Sequence, residues 1–339
     1  MKIVQVMAGN EEGGLEQHFE ALCNGLSDQY EVHVIAHEKY KDRFNRNISF
    51  HALDLSKGRN NPLILFRLLR TIRVLNPDIL HAHANKAVDM VAKIMNWFPS
   101  HVKTVATLHS TKRKLKSFEK FDHVIGVSHE VLKRLKNVQK SVIYNGMRLP
   151  SGISKDKAYL KQFGIEENDF VLCAAGRLEE VKNFPLLLRA IEGMDVKLLL
   201  MGEGSKKEEL EILVRKLGLE QKVIFTGFRT DVLQIIASSD LYVLSSDKEG
   251  FPYVIVEALL LETPVIATDV SDLKKILPHS CVVPVGDVMK LREKIYDVQT
   301  HFKEYLVTYD EAFVFAREHF TIESMLRGVI KVYDEVSKR

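Results

Sequence analysis

Phe170-Val171-Leu172-Cys173-Ala174-Ala175, followed at once by Gly176-Arg177-Leu178-Glu179-Glu180-Val181-Lys182-Asn183, is the stretch on which the fold turns. Six consecutive apolar residues read as a strand buried on both faces, the signature of a parallel sheet covered by helices. The charged, glycine-led loop behind it leads into a helical pattern, making one βα unit. The same unit recurs downstream, with strands expected at Val196–Met201, Val223–Phe225, Leu241–Leu244 and Val265–Ala267. Upstream, 2–7, 31–36, 78–82, 103–108, 122–127 and 141–144 read the same way. Two α/β domains with parallel sheets follow, a division that 339 residues already favour over a single core.

Turn formers concentrate at Asn145-Gly146-Met147-Arg148-Leu149-Pro150-Ser151-Gly152, which places the boundary near residue 145. From about Phe315 to Lys338 the pattern is helical without a strand. With 46% hydrophobic and 27% charged residues the chain is neither disordered nor fibrous. It has no apolar run of spanning length, and its first residues enter a strand directly rather than a secretory leader, so a cytoplasmic location is expected. Cys23, Cys173 and Cys281 are far apart and set among apolar residues, as reduced core thiols are. Charge is uneven. Residues 1–150 hold 23 basic against 14 acidic side chains, or +9, and the remainder holds 25 against 31, or −6.

In doubly wound sheets ligands bind at the carboxyl ends of the strands, so the loops there carry the chemistry. Gly13-Gly14 precedes the first helix, Gly176 with Arg177 and Lys182 follows the first strand of the second half, and Gly202-Glu203-Gly204 follows the next. Glycines let backbone approach a ligand closely, and helix N–H groups with fixed cations favour an anionic one. The most specific stretch is Glu249-Gly250-Phe251-Pro252-Tyr253-Val254-Ile255-Val256-Glu257. A helix starting near Pro252 leaves Glu249 in the loop and Glu257 more than a turn inside. Two carboxylates at different depths suit the vicinal hydroxyls of a sugar and a ribose. Glu257 lies in an apolar run, where an unpartnered charge is costly.

These motifs resemble those of the retaining GT-B glycosyltransferases of family 4: Glu249 and Glu257 match the E-x7-E hallmark, Gly176-Arg177 with Lys182-Asn183 the G-R…K-N element, Gly202-Glu203-Gly204 the G-x-G turn, and Gly13-Gly14 the N-terminal glycine loop. The resemblance implies two Rossmann-like domains facing a central cleft. Residues 1–145 would form the acceptor domain, completed by a C-terminal helix at about 319–339, and 146–318 the donor domain. It implies that Arg177 and Lys182 hold the donor diphosphate, Glu257 the ribose, and Glu249 the transferred sugar in a pocket shaped by Gly250, Phe251 and Pro252. His109 would contact the donor sugar. A UDP-sugar donor, a saccharide or glycolipid acceptor, a role in lipopolysaccharide or other surface polysaccharide synthesis, and no need for a metal or other cofactor are expected.

His81 and His83 look like a metal pair without an evident third ligand, and are read as structural. The basic run Lys112, Arg113, Lys114 and Lys116 follows His109 and is expected to hold an anionic acceptor or touch a membrane surface. Nucleic acid is not an expected partner. Two other readings compete. A dehydrogenase has in its favour the βα alternation and Glu38 after the second strand, but the spacing G-x-G-x-x-G is absent. A binding protein without turnover has no reason to keep Arg177, Lys182, Glu249 and Glu257 together.

Overall fold

The structure is a computed structural model describing residues 1–111 and 115–339. It divides into two compact units, Met1–Met147 with His319–Arg339, and Arg148–Glu318.

The first unit holds seven parallel strands: β1 (Lys2–Met7), β2 (Glu31–Ala36), β3 (Ser49–Ala52), β4 (Ile79–His83), β5 (Lys103–Leu108), β6 (His123–Gly126) and β7 (Gln139–Val142), in the order β3-β2-β1-β4-β5-β6-β7. The second holds β8 (Val171–Ala175), β9 (Lys197–Met201), β10 (Val223–Gly227), β11 (Leu241–Leu244), β12 (Val265–Thr268) and β13 (Val282–Val283), in the order β10-β9-β8-β11-β12-β13. Every described pairing is parallel. In both units the chain starts mid-sheet, builds one way, then returns to build the other. That reversal leaves one crevice per sheet, at β1/β4 and at β8/β11.

Two strands escaped the sequence reading. β3, four residues of mixed polarity, and β13, only two residues long, lie at sheet edges, the one too polar and the other too short to read as a strand. The helical stretch expected at 315–338 is two helices, Asp310–His319 and Ile322–Ser337. They are separated at Phe320-Thr321, and Thr321 Oγ1 accepts the Ser324 N–H at 3.2 Å to cap the second.

The later helix belongs to the first unit. Ile322, Met325, Val329, Val332, Tyr333 and Val336 share a core with Phe19, Leu22 and Leu26 of the helix Gly14–Leu26. Met147 pairs in parallel with Thr321: Met147 N–H donates to Phe320 O at 2.9 Å, and Ile322 N–H to Met147 O at 3.1 Å. A Cβ on Gly146 would lie 2.4 Å from Thr321 O, so only glycine allows this approach. The division therefore falls after Met147, two residues beyond the boundary expected from the turn formers, because Gly146 and Met147 are tied to the returning helix.

Candidate functional site

In the second unit, Lys182 and Glu249 leave the strands that flank the crevice, β8 and β11. Lys182 ends a short 3-10 turn, Glu180–Lys182, closed by Asn183 in the left-handed region at φ 46°. Ser245 Oγ donates to the Lys182 carbonyl at 2.9 Å and Asp247 N–H to Val181 O at 2.9 Å, which fastens the two loops together. Lys182 Nζ then donates to Glu249 Oε1 at 2.7 Å, and Ser246 Oγ donates to the same oxygen at 2.8 Å. The side chains are 18% and 14% exposed, so the pair is shielded yet reachable. A cation and a carboxylate thus stand side by side, the kinds of group that suit a phosphate and a pair of hydroxyls.

Arg177 is exposed one residue after Gly176 on the loop from β8. The glycines read from the sequence as ligand-facing also pack on neighbouring backbone. Gly202, at φ 134°, packs its backbone on the loop from β8, where a Cβ would lie 2.0 Å from Gly176 O. Gly204 abuts the Leu178 backbone, and Leu178 N–H donates to Glu203 O at 2.8 Å. Gly176 N–H donates to Met201 O at 3.0 Å. These residues weld the strand-end loops into one surface.

Pro252 caps the helix Tyr253–Leu260, with Glu249 and Gly250 in the loop before it and Glu257 in its second turn. Phe251 and Pro252 are buried, and Ser271 Oγ donates to the Gly250 carbonyl. Burial pushes the Glu257 carboxyl up to about 7, so it gains most from a partner that donates hydrogen bonds to the ionised form. The Tyr253 hydroxyl of the same helix is buried without a partner.

In the first unit the glycine loop differs from the expectation of an anion cradle. Glu16 is buried in the first turn of the helix Gly14–Leu26, and a Cβ on Gly9 would lie 3.0 Å from its Oε1. Beside Gly13 and Gly14 the chain thus supplies its own carboxyl, pushed up from its ordinary value by burial.

The H-x-H pair splits. His81 is fully engaged, with Nδ1 against Tyr333 OH and Nε2 against Thr107 Oγ1, both at 2.7 Å. His83 instead joins two histidines that the sequence reading did not attach to it, His18 and His109, and their ligand atoms lie within 4.8 Å of one another. His18 and His109 meet edge to face at 4.7 Å between ring centroids. Burial lowers the His18 pKa to about 4 and holds His83 and His109 well below the ordinary histidine value. His18 was missed because a histidine among the apolar residues of an amphipathic helix reads as core. Its one visible signal was the unsatisfied ring that burial there would create. Lys112, Arg113 and Lys114 lie outside the described residues, and Lys116 is exposed.

Comparison with known proteins matches residues 12–149 to the model described as Glycosyltransferase Family 4 and residues 155–304 to that of Glycosyl transferases group 1. N-acetyl-alpha-D-glucosaminyl L-malate synthase of Bacillus anthracis is 31% identical over 231 residues, spanning 60% of each chain. The lipopolysaccharide core biosynthesis glycosyltransferase LpsD of Rhizobium meliloti is 24% identical over 87% of each. Among solved structures, Anabaena HepE in complex with UDP superposes with a TM-score of 0.85 at 21% identity, covering 99% of this chain and 100% of that one. That likeness gives the fold, GT-B.

Proposed function

Since this chain belongs to the group 1, family 4 glycosyltransferases, we propose that it moves a sugar from a UDP-sugar to a saccharide or glycolipid acceptor with retention of anomeric configuration, in the synthesis of lipopolysaccharide or another surface polysaccharide. The observation that carries the reading is the Lys182–Glu249 pair at 2.7 Å. Glu249 takes hydroxyls of the transferred sugar, Lys182 and Arg177 take the diphosphate, and Glu257 takes the ribose hydroxyls. Phe251 and Pro252 wall the sugar.

In the proposed step the acceptor oxygen bonds to the anomeric carbon on the face from which the phosphate oxygen departs. The acceptor proton passes to that phosphate oxygen. Charge accumulates on the diphosphate as its bond breaks, and Lys182 and Arg177 are fixed where it accumulates, so catalysis is positioning and electrostatics. Fixed cations replace a metal at the diphosphate.

Peripheral contact with an anionic membrane is supported by the helix Pro62–Leu75, whose exposed side carries Leu63, Phe66 and Val74 among Arg67, Arg70 and Arg73. Apolar side chains between cations suit the headgroup boundary. Among the described residues no helix is long and apolar enough to cross a membrane.

A panel of UDP-, GDP- and ADP-sugars scored by protection against thermal unfolding tests the reading. A donor at 100 times its Kd stabilises by about 2.7 kcal/mol. Protection by a UDP-sugar beyond that of UDP is expected, and protection by no nucleotide sugar would overturn it.

A further inference from the structure

We propose that His18, His83 and His109 form a binding site for a zinc-class transition metal ion, and that an ion there occupies the His109 ring and suppresses transfer. The second half of this proposal rests on the part in transfer that the family resemblance implies for His109; the first does not.

The hydrogen-bond network fixes where each ring has its lone pair. Gln5 Nε2 donates to Tyr333 OH at 2.9 Å, so Gln5 Oε1 is left to accept, and it faces His83 Nε2 at 2.8 Å. His83 therefore carries its proton on Nε2 and a lone pair on Nδ1. Asn145 Oδ1 faces His18 Nδ1 at 3.1 Å, which puts the His18 proton on Nδ1 and its lone pair on Nε2. His18 Nε2, His83 Nδ1 and His109 Nε2 are buried atoms without a hydrogen-bond partner. His18 and His83 are each 1% exposed, while His109 is partly exposed and gives a path inward.

Converging lone pairs repel a phosphate and attract a Lewis acid. Each of the two oriented rings also donates its far N–H to an amide carbonyl oxygen, the arrangement that fixes the tautomer of a metal-ligating histidine. Neutral imidazoles suit zinc, copper, nickel and iron rather than magnesium or calcium. Bonds of about 2.0–2.1 Å require the nitrogens to draw closer than the 4.8 Å that bounds their present separation. His81 takes no part because both of its nitrogens are engaged.

Untagged full-length protein, stripped with chelator, is titrated with Co²⁺ and followed by visible absorption. One equivalent giving the intense bands of four-coordinate Co²⁺, displaced by Zn²⁺, is expected. His109→Ala should abolish those bands, and Asn145→Ala, which removes the acceptor orienting His18, should weaken Zn²⁺ affinity by about 10–100-fold. Circular dichroism confirms that each variant is folded, and His18→Gln supplies a second ligand deletion of similar bulk. Weak octahedral bands, no stoichiometric binding, or binding that survives His109→Ala would overturn the site. Tight binding without loss of transfer would leave the site standing and overturn its effect on His109.

Discussion

At the β1/β4 crevice the first unit gathers imidazoles, whereas at the β8/β11 crevice the second sets a lysine against a carboxylate. The strand order is of one kind, so the sheet decides where a site forms and the residues around the strand ends decide its chemistry. The first site is built from neutral rings held by Gln5, Asn145 and, through Gln5, by Tyr333 of the returning helix. The second is built from charges locked by neighbouring hydroxyls and loop backbone. Neutral rings offer lone pairs to hydroxyls or metals. Fixed charges suit a phosphate and a sugar.

The largest effect that would break this contrast comes from the charged site. Lys182→Ala and Arg177→Ala should each raise the barrier by on the order of 2–4 kcal/mol, by analogy with a lost donor to developing charge, with the fold retained. Steady-state kcat on purified, folded variants checks this. Near-normal turnover would remove both residues from the diphosphate.

Acid should separate the two units. His18 has a folded pKa of about 4 against an ordinary 6.5, so the unfolded chain takes up its proton first as pH falls. Stability that is full above the ordinary value is then lost down to about pH 4, by about 3 kcal/mol for this residue alone. Glu257 runs the other way, because its raised carboxyl favours the folded state at low pH and that stability is lost as pH rises towards about 7. Hydrogen exchange resolved by unit, at pH 7 and pH 5, should show the first unit losing protection while the second does not. Parallel loss in both would contradict the contrast.

A smaller effect sharpens the reading of Glu257. If ribose hydroxyls bind its ionised form, UDP affinity should rise about tenfold from roughly pH 6 to pH 8 and then level off. Glu257→Gln should flatten that profile. The smallest expected effect is none: exhaustive chelation should leave transfer intact, and inactivation reversed by Mg²⁺ or Mn²⁺ would show that the diphosphate needs a metal after all.

The sheet-building strands were legible in the sequence where Val, Ile and Leu cluster, and the shortest or most polar edge strands, β13 and β3, were not. Glu249 and Glu257 could be placed on a loop and a helix because Pro252 marks the junction. What sequence could not give was partnership. Nothing local says that Lys182 meets Glu249 across two strand-end loops, that Gly202 packs on Gly176, or that Tyr333 and Gln5 settle the tautomers of His81 and His83. These contacts join residues from about 26 to 328 positions apart, and only the sheet order brings them together.

The central claim is a division of labour, in which Glu249 reads the sugar and Lys182 with Glu257 reads the nucleotide diphosphate. Calorimetric titration of UDP and of the matching UDP-sugar into wild type and Glu249→Gln tests it most directly. The account predicts that Glu249→Gln leaves UDP affinity within about threefold, a surface-scale change, while erasing the extra affinity of the UDP-sugar over UDP. An unchanged sugar increment, or an equal loss for both ligands, would contradict it.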